Sequence, residues 1–184
     1  MVVPWSSSEL ADRVLPDTLN GLPLHPLAVH GPVVLIPLAA VLGVTFAIPA
    51  LRQWSRWPLA LVSLGAAVAA FIAVQSGKSL KESLPLSGPL EELIQRHEER
   101  AEQLLWMIVA YAALAVIAAV VAGRGKIRDE VPGDHRAAST APRGSLGVLG
   151  VVLSVLLVVG GAAVTYQTYR VGELGSEAVW GSTG

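Results

Sequence analysis

Four long runs of the chain contain no Asp, Glu, Lys or Arg: Gly31 to Leu51, Trp57 to Gly77, Gln103 to Gly123 and Gly144 to Tyr169. Each reaches the roughly 20 residues that a helix needs to cross the hydrocarbon core of a bilayer. Apolar residues lie all round each run rather than along one stripe. A soluble bundle, whose helices must show a polar face to water, therefore does not fit. The pattern predicts an all-α fold: an integral membrane four-helix bundle spanning residues 31–51, 57–77, 103–123 and 144–169, within a domain covering 25–170.

The polar segments between the runs add detail. At the start, Ser6 followed by Glu9 has the spacing of a capping box, with Leu10, Val14 and Leu15 at helical intervals and Pro16 as a stop. Residues 1–24 are thus expected to include a short interfacial helix with Trp5 as its anchor, and no cleavable leader. "RQWSRWP" reads as a tight hairpin that holds Arg52, Trp54, Arg56 and Trp57 at headgroup level. Gly88 before Pro89, with Glu91 and Glu92 in the first turn, marks a helix start, and nothing interrupts the sequence from there to Gly123. At 1.5 Å per residue this third helix is about 50 Å long, so about its first four turns extend beyond the bilayer. The loop "GRGKIRDEVPGDHRAASTAPRG" is polar and contains His135, expected to be solvated, and residues 171–184 are read as a C-terminal tail.

Charge sets an orientation and narrows the chemistry. Arg52, Arg56, Arg124, Lys126, Arg128, Arg136 and Arg143 cluster in the first and third connections. The positive-inside rule then places both termini outside the cytoplasm, in a multi-pass protein of the cell membrane. Of 184 residues, 53% are hydrophobic and only 15% charged, and the formal net charge of −1 gives no basis for binding nucleic acid. The chain has no cysteine, which excludes disulfides, thiolate-bound zinc, iron–sulfur ligation and covalently attached haem. Any cofactor must be held by His, carboxylate or Tyr.

Candidate residues gather at the outer ends of the spans. At about 100° per residue, Leu90, Leu93, Ile94, His97, Ala101, Leu104 and Ile108 fall in one stripe, which turns His97 toward the rest of the bundle. His25 and His30 precede the first span at the same level. In ideal helix they would lie about 140° apart, but Pro26, Pro32 and Pro37 predict a kink or local unwinding around Gly31. Gln75 and Ser76 end the second span, and Tyr166 and Tyr169 end the fourth, so a polar pocket is expected at this level.

The segment "LPLHPLAVHGPVVLIPLA" resembles the H-P-x-x-V-H-x-P opening of a bacterial membrane family, domain of unknown function 2231. "ELIQRHEERAEQL" is similar to that family's histidine-containing start of helix three, and "YRVGELGSEAVW" looks like its Gly-rich terminal signature, with Glu173 where many members have histidine. The resemblance implies a four-helix membrane protein in a redox setting, with His25, His30 and His97 matching recurrent histidines and a Rieske-type or cytochrome partner.

Three functional readings remain open. In one, a b-type haem is ligated by His97 and either His30 or His25, exchanging electrons with a quinone or a partner protein. In the second, His30 and His97 join Glu98 or Glu102 in a divalent-metal or proton site. In the third, the protein is a non-catalytic accessory or assembly subunit, its small residues allowing close helix packing. Simple structural roles compete with all three, since imidazoles can also satisfy kinked backbone. No triad, phosphate loop or zinc-protease motif is present, so no catalytic residue is assigned.

Overall fold

The computed structural model of the chain describes residues 18–19, 21–129 and 147–181. The expected interfacial helix around Ser6 to Leu15, Trp5 and His135 lie outside the described residues. A two-residue antiparallel pair, β1 (Thr18–Leu19) with β2 (Leu22–Pro23), leads into five helices: α1 (Leu24–Ala28), α2 (His30–Ala47), α3 (Arg52–Ser83), α4 (Pro89–Asp129) and α5 (Gly147–Trp180). Helices α2 with α1, α3, α4 and α5 supply four candidate membrane spans.

The four long helices form a square. Each packs on its sequence neighbour, and α2 closes the ring against α5. Ile36, Phe46, Leu59, Ile108 and Leu157 are fully buried at the centre, with Ala66, Ala115 and Ala118 between them. Valines and leucines such as Val34, Val41, Leu61 and Val151 face outward instead. That arrangement, with backbone bonds closed inside each helix and apolar side chains outside, suits a hydrocarbon solvent.

With no hydrophobic force between helices in lipid, close approach supplies the packing, and small residues permit it. A β-carbon on Gly31 would stand 2.9 Å from the Ala69 β-carbon, and one on Gly161 would stand 3.0 Å from that of Ala40. Tyr111 fills the gap left around Gly43, Gly160 and Gly161, and its hydroxyl donates to the Ala39 carbonyl at 3.2 Å.

The first connection differs from the sequence reading. "RQWSRWP" is not a hairpin but the first two turns of α3, and the turn itself is Ile48 to Leu51. Pro49 explains this: a residue before proline is driven out of the helical region, and Ile48 is extended at φ −80°, ψ 114°. Arg52 is not a headgroup anchor either. Only 6% exposed, it turns back on α2, donating from Nε to Phe46 O at 3.2 Å and from Nη2 to Ser154 Oγ at 3.2 Å. It thus caps the negative end of the α2 dipole and ties that end to α5. Trp54 and Trp57 remain exposed, as expected of interfacial aromatics.

The helices also run further than the apolar runs. α3 continues beyond Gly77 to Ser83, and α5 continues through the expected tail to Trp180. No proline interrupts either extension, and a glycine costs a helix only about 1 kcal/mol relative to alanine. The start at Pro89 is as read, with Gly88 at φ 66° and Glu91 N–H donating to Gly88 O at 3.1 Å.

Candidate functional site

The unwinding expected around Gly31 does not occur: only Val29 separates α1 from α2, it keeps helical dihedrals at φ −63°, ψ −22°, and Val33 N–H donates to its carbonyl at 3.3 Å. Val29 ends α1 and begins α2, while its own N–H still reaches His25 O at 3.1 Å. Pro32 lies in the first turn of α2, where an amide has no intrahelical partner anyway. Pro37 lies within the helix. α1 packs on α3, which seats His25 in a notch made by Gly77.

His25 and His97 meet there, with ring centroids 6.3 Å apart and ring planes at 83°. Each ring is part-buried and tied down on one side. His25 Nδ1 donates to Ala73 O at 2.9 Å, with Ser76 Oγ at 3.4 Å, while Ser76 Oγ itself donates to Ala73 O at 3.1 Å. His97 Nδ1 donates to Val171 O at 3.1 Å. A carbonyl oxygen can only accept, so in each ring the Nδ1 atom carries the proton and the Nε2 lone pair remains. Glycines back both rings: a β-carbon on Gly77 would be 3.0 Å from His25 Cε1, and one on Gly175 would be 3.1 Å from His97 Cε1.

The other expected site residues divide. His30, the first residue of α2, is exposed on the outside of the bundle, because the chain stays helical through Val29 and five residues of helix set it about 140° from His25. Ser76 is buried beside His25, and Gln75 is half-buried. Tyr166 and Tyr169 do not enter the pocket: they are 60% and 64% exposed, and Tyr166 Oη accepts from Arg170 Nη1 at 3.2 Å. Glu98 is held by Lys81 at 2.7 Å, and Glu102 pairs with Lys78. Among the described residues no group of three His, Cys, Asp or Glu side chains converges, so the His30, His97 and Glu98 set does not assemble.

One polar residue at this level escaped the sequence reading. Gln167, buried on α5, donates from Nε2 to Gln103 Oε1 at 3.1 Å and to Arg100 O at 3.3 Å. Its signal was periodicity. Leu153, Leu157, Gly161 and Val164 are buried along one stripe of α5, and Gln167 is its next member, whereas Tyr166 and Tyr169 fall to either side.

A model of the family described as "Predicted membrane protein (DUF2231)" matches residues 21–183. No curated protein and no solved structure matches the chain.

Proposed function

From a chain that belongs to the DUF2231 family of membrane proteins, we propose that His25 and His97 would together hold a single b-type haem at the end of the bundle where they meet. The observation that carries this is the shared state of the two imidazoles. They come from different helices, their centroids are 6.3 Å apart, and both Nδ1 atoms are committed to backbone carbonyls. A backbone carbonyl that accepts from one ring nitrogen is the usual partner of metal ligation through the other.

Two protein ligands suit haem better than a bare divalent ion. A bare ion needs four or more ligands, and no third His, Cys, Asp or Glu joins the pair among the described residues. When bound, haem b would supply a one-electron redox centre. The chain's own residues have distinct tasks. Ala73 and Val171 orient the rings, and Gly77 and Gly175 leave room for them. With both termini outside the cytoplasm, the centre would lie at the extracytoplasmic boundary, in reach of a Rieske-type or cytochrome partner.

A second reading has its own observation. Both Nδ1 bonds also act as ties, holding α1 to α3 and α4 to α5, so the pair could serve a non-catalytic accessory subunit without any cofactor. The visible spectrum separates the two. Protein expressed with a haem supply and purified in mild detergent should show a Soret band, lost in His25→Ala and in His97→Ala and retained in His30→Ala. Circular dichroism confirms that each variant is folded. A colourless wild type after haem supplementation refutes the haem reading and leaves the tie.

A further inference from the structure

Far from the histidines, about 40 Å from His97 along α4 at 1.5 Å per residue, Arg56 lies between α3 and α4. Its guanidinium rests where Gly123 has no side chain, and a β-carbon there would collide with Nη1. Gln53, three residues earlier on α3, donates from Nε2 to Ala122 O at 2.9 Å and ties the two helices at this level. Arg56 Cζ also stands 5.7 Å from the centroid of the Trp57 ring. Trp54 and Trp57, 66% and 52% exposed, put the guanidinium at headgroup level, where such rings collect.

No described side chain answers that charge. Arg56 Nε is buried without a hydrogen-bond partner, and among the described residues no acceptor meets the two Nη groups, which stay accessible. Arg124, exposed and next to Gly123, has no acidic partner among them either. The carboxylates whose side chains are described lie at the other end of the bundle, within residues 82–102 and 173–177, where they pair with lysines and arginines. A guanidinium keeps its charge at every pH a cell meets and has five donors to satisfy. Leaving a buried donor unpaired is costly, and two like charges at one level repel each other. The junction of α3 and α4 therefore presents charge and open donors to an anion from outside the chain.

We infer that Arg56, with Arg124 beside it, holds the phosphate of an anionic phospholipid at this junction. A phosphodiester has two free oxygens that match the fork of an arginine, and basic pockets between membrane helices are a recurring place for such headgroups. The acyl chains would run along the outward face of α3, past Leu61 and Val68, which are exposed there. A zwitterionic phospholipid brings a cation of its own, which the two arginines oppose. A free phosphate ion has the same oxygens but no chains to lay against α3. The haem reading has no part in this site, which lies at the opposite end of the bundle.

The test is native mass spectrometry of the full-length protein in detergent, titrated with phosphatidylglycerol and with phosphatidylcholine of the same acyl chains. Phosphatidylglycerol should bind at least fivefold more tightly. Arg56→Gln should lose at least fivefold in that affinity while keeping its helical circular dichroism, and Arg56→Lys, which keeps the charge but not the fork, should fall between. Arg170→Gln removes the same charge at the other end and should change nothing. Equal affinity for the two lipids overturns the inference and means that water alone serves Arg56. A loss in Arg170→Gln as large as that in Arg56→Gln also overturns it, since it marks general electrostatic attraction. So does inorganic phosphate that displaces phosphatidylglycerol at equal concentration, which identifies a free anion as the occupant. If Arg56→Gln does not fold, Arg56→Lys decides, and wild-type affinity in that variant overturns the inference.

Discussion

Gly77→Ala tests the histidine pair through its packing rather than through its ligands. A β-carbon at position 77 stands 3.0 Å from His25 Cε1 and 3.1 Å from Nδ1. Carbon contacts settle at about 3.5–4.0 Å, so the ring must retreat by about 0.5 Å. Ala73 O and position 77 lie one turn apart on the same face, so a ring pushed off residue 77 is also drawn off Ala73. The 2.9 Å bond from Nδ1 then lengthens past the usual limit of about 3.2 Å. Losing it costs about 0.5–1.5 kcal/mol, while replacing a mid-helix glycine by alanine gains about 0.8–1.0 kcal/mol. The two nearly cancel, so Gly77→Ala should leave stability within about 1 kcal/mol of wild type.

Gly172→Ala is the control, because its β-carbon meets open space and it should realise the whole helix gain. The two variants should therefore differ by about 1 kcal/mol, or about 2–4 °C in melting temperature for a chain of this size. Thermal melts in detergent followed by circular dichroism measure the difference, and the imidazole nitrogen resonances report the His25 bond directly. If Gly77→Ala is as stabilising as Gly172→Ala and the His25 resonances do not move, the notch is not filled by that ring and the pairing described above is wrong.

Other outcomes follow from single contacts. Tyr111→Phe removes the buried bond to Ala39 O and should destabilise by about 0.6 kcal/mol, the average for hydrogen bonds between membrane helices, without altering the site; chemical denaturation in micelles reads this. Lys81 and Glu98 are partly shielded, at 28% and 25% side-chain exposure, and a double-mutant cycle should give a coupling of about 0.5–1 kcal/mol that declines as salt is raised. A coupling indifferent to salt would mean that the pair is buried in the native protein. Arg52→Met should weaken the junction of α2, α3 and α5, seen as faster proteolysis at the Ile48–Leu51 turn than in wild type.

The cluster around His25 and His97 was only partly legible in the sequence. His97 was placed correctly because its direction follows from helical periodicity alone, and Leu104 and Ile108 on the same stripe are buried as that periodicity requires. His25 and His30 were not separable by that argument. The helical period through Val29 sets the two about 140° apart, so one of them faces inward, and which one depends on how α1 packs against α3. The tyrosines of "VTYQTYR" were chosen for their chemistry, when the stripe of α5 pointed to Gln167 between them. Arg52 looked like an anchor because the sequence shows its charge and not the open carbonyls of α2 that it turns to meet.

The sequence by itself determined that this protein is four apolar helices in a bilayer. Span length and the absence of charge are local properties, and in hydrocarbon a backbone must close its hydrogen bonds within the segment. Only the tertiary structure decided which residues meet at the end of the bundle that carries His97. The His25 to His97 distance and the glycine notches depend on how α1 packs against α3 and on how closely helices approach at Gly31 and Gly161. Those are contacts between distant parts of the chain, and their geometry is fixed by the packing of whole helices rather than by any one segment.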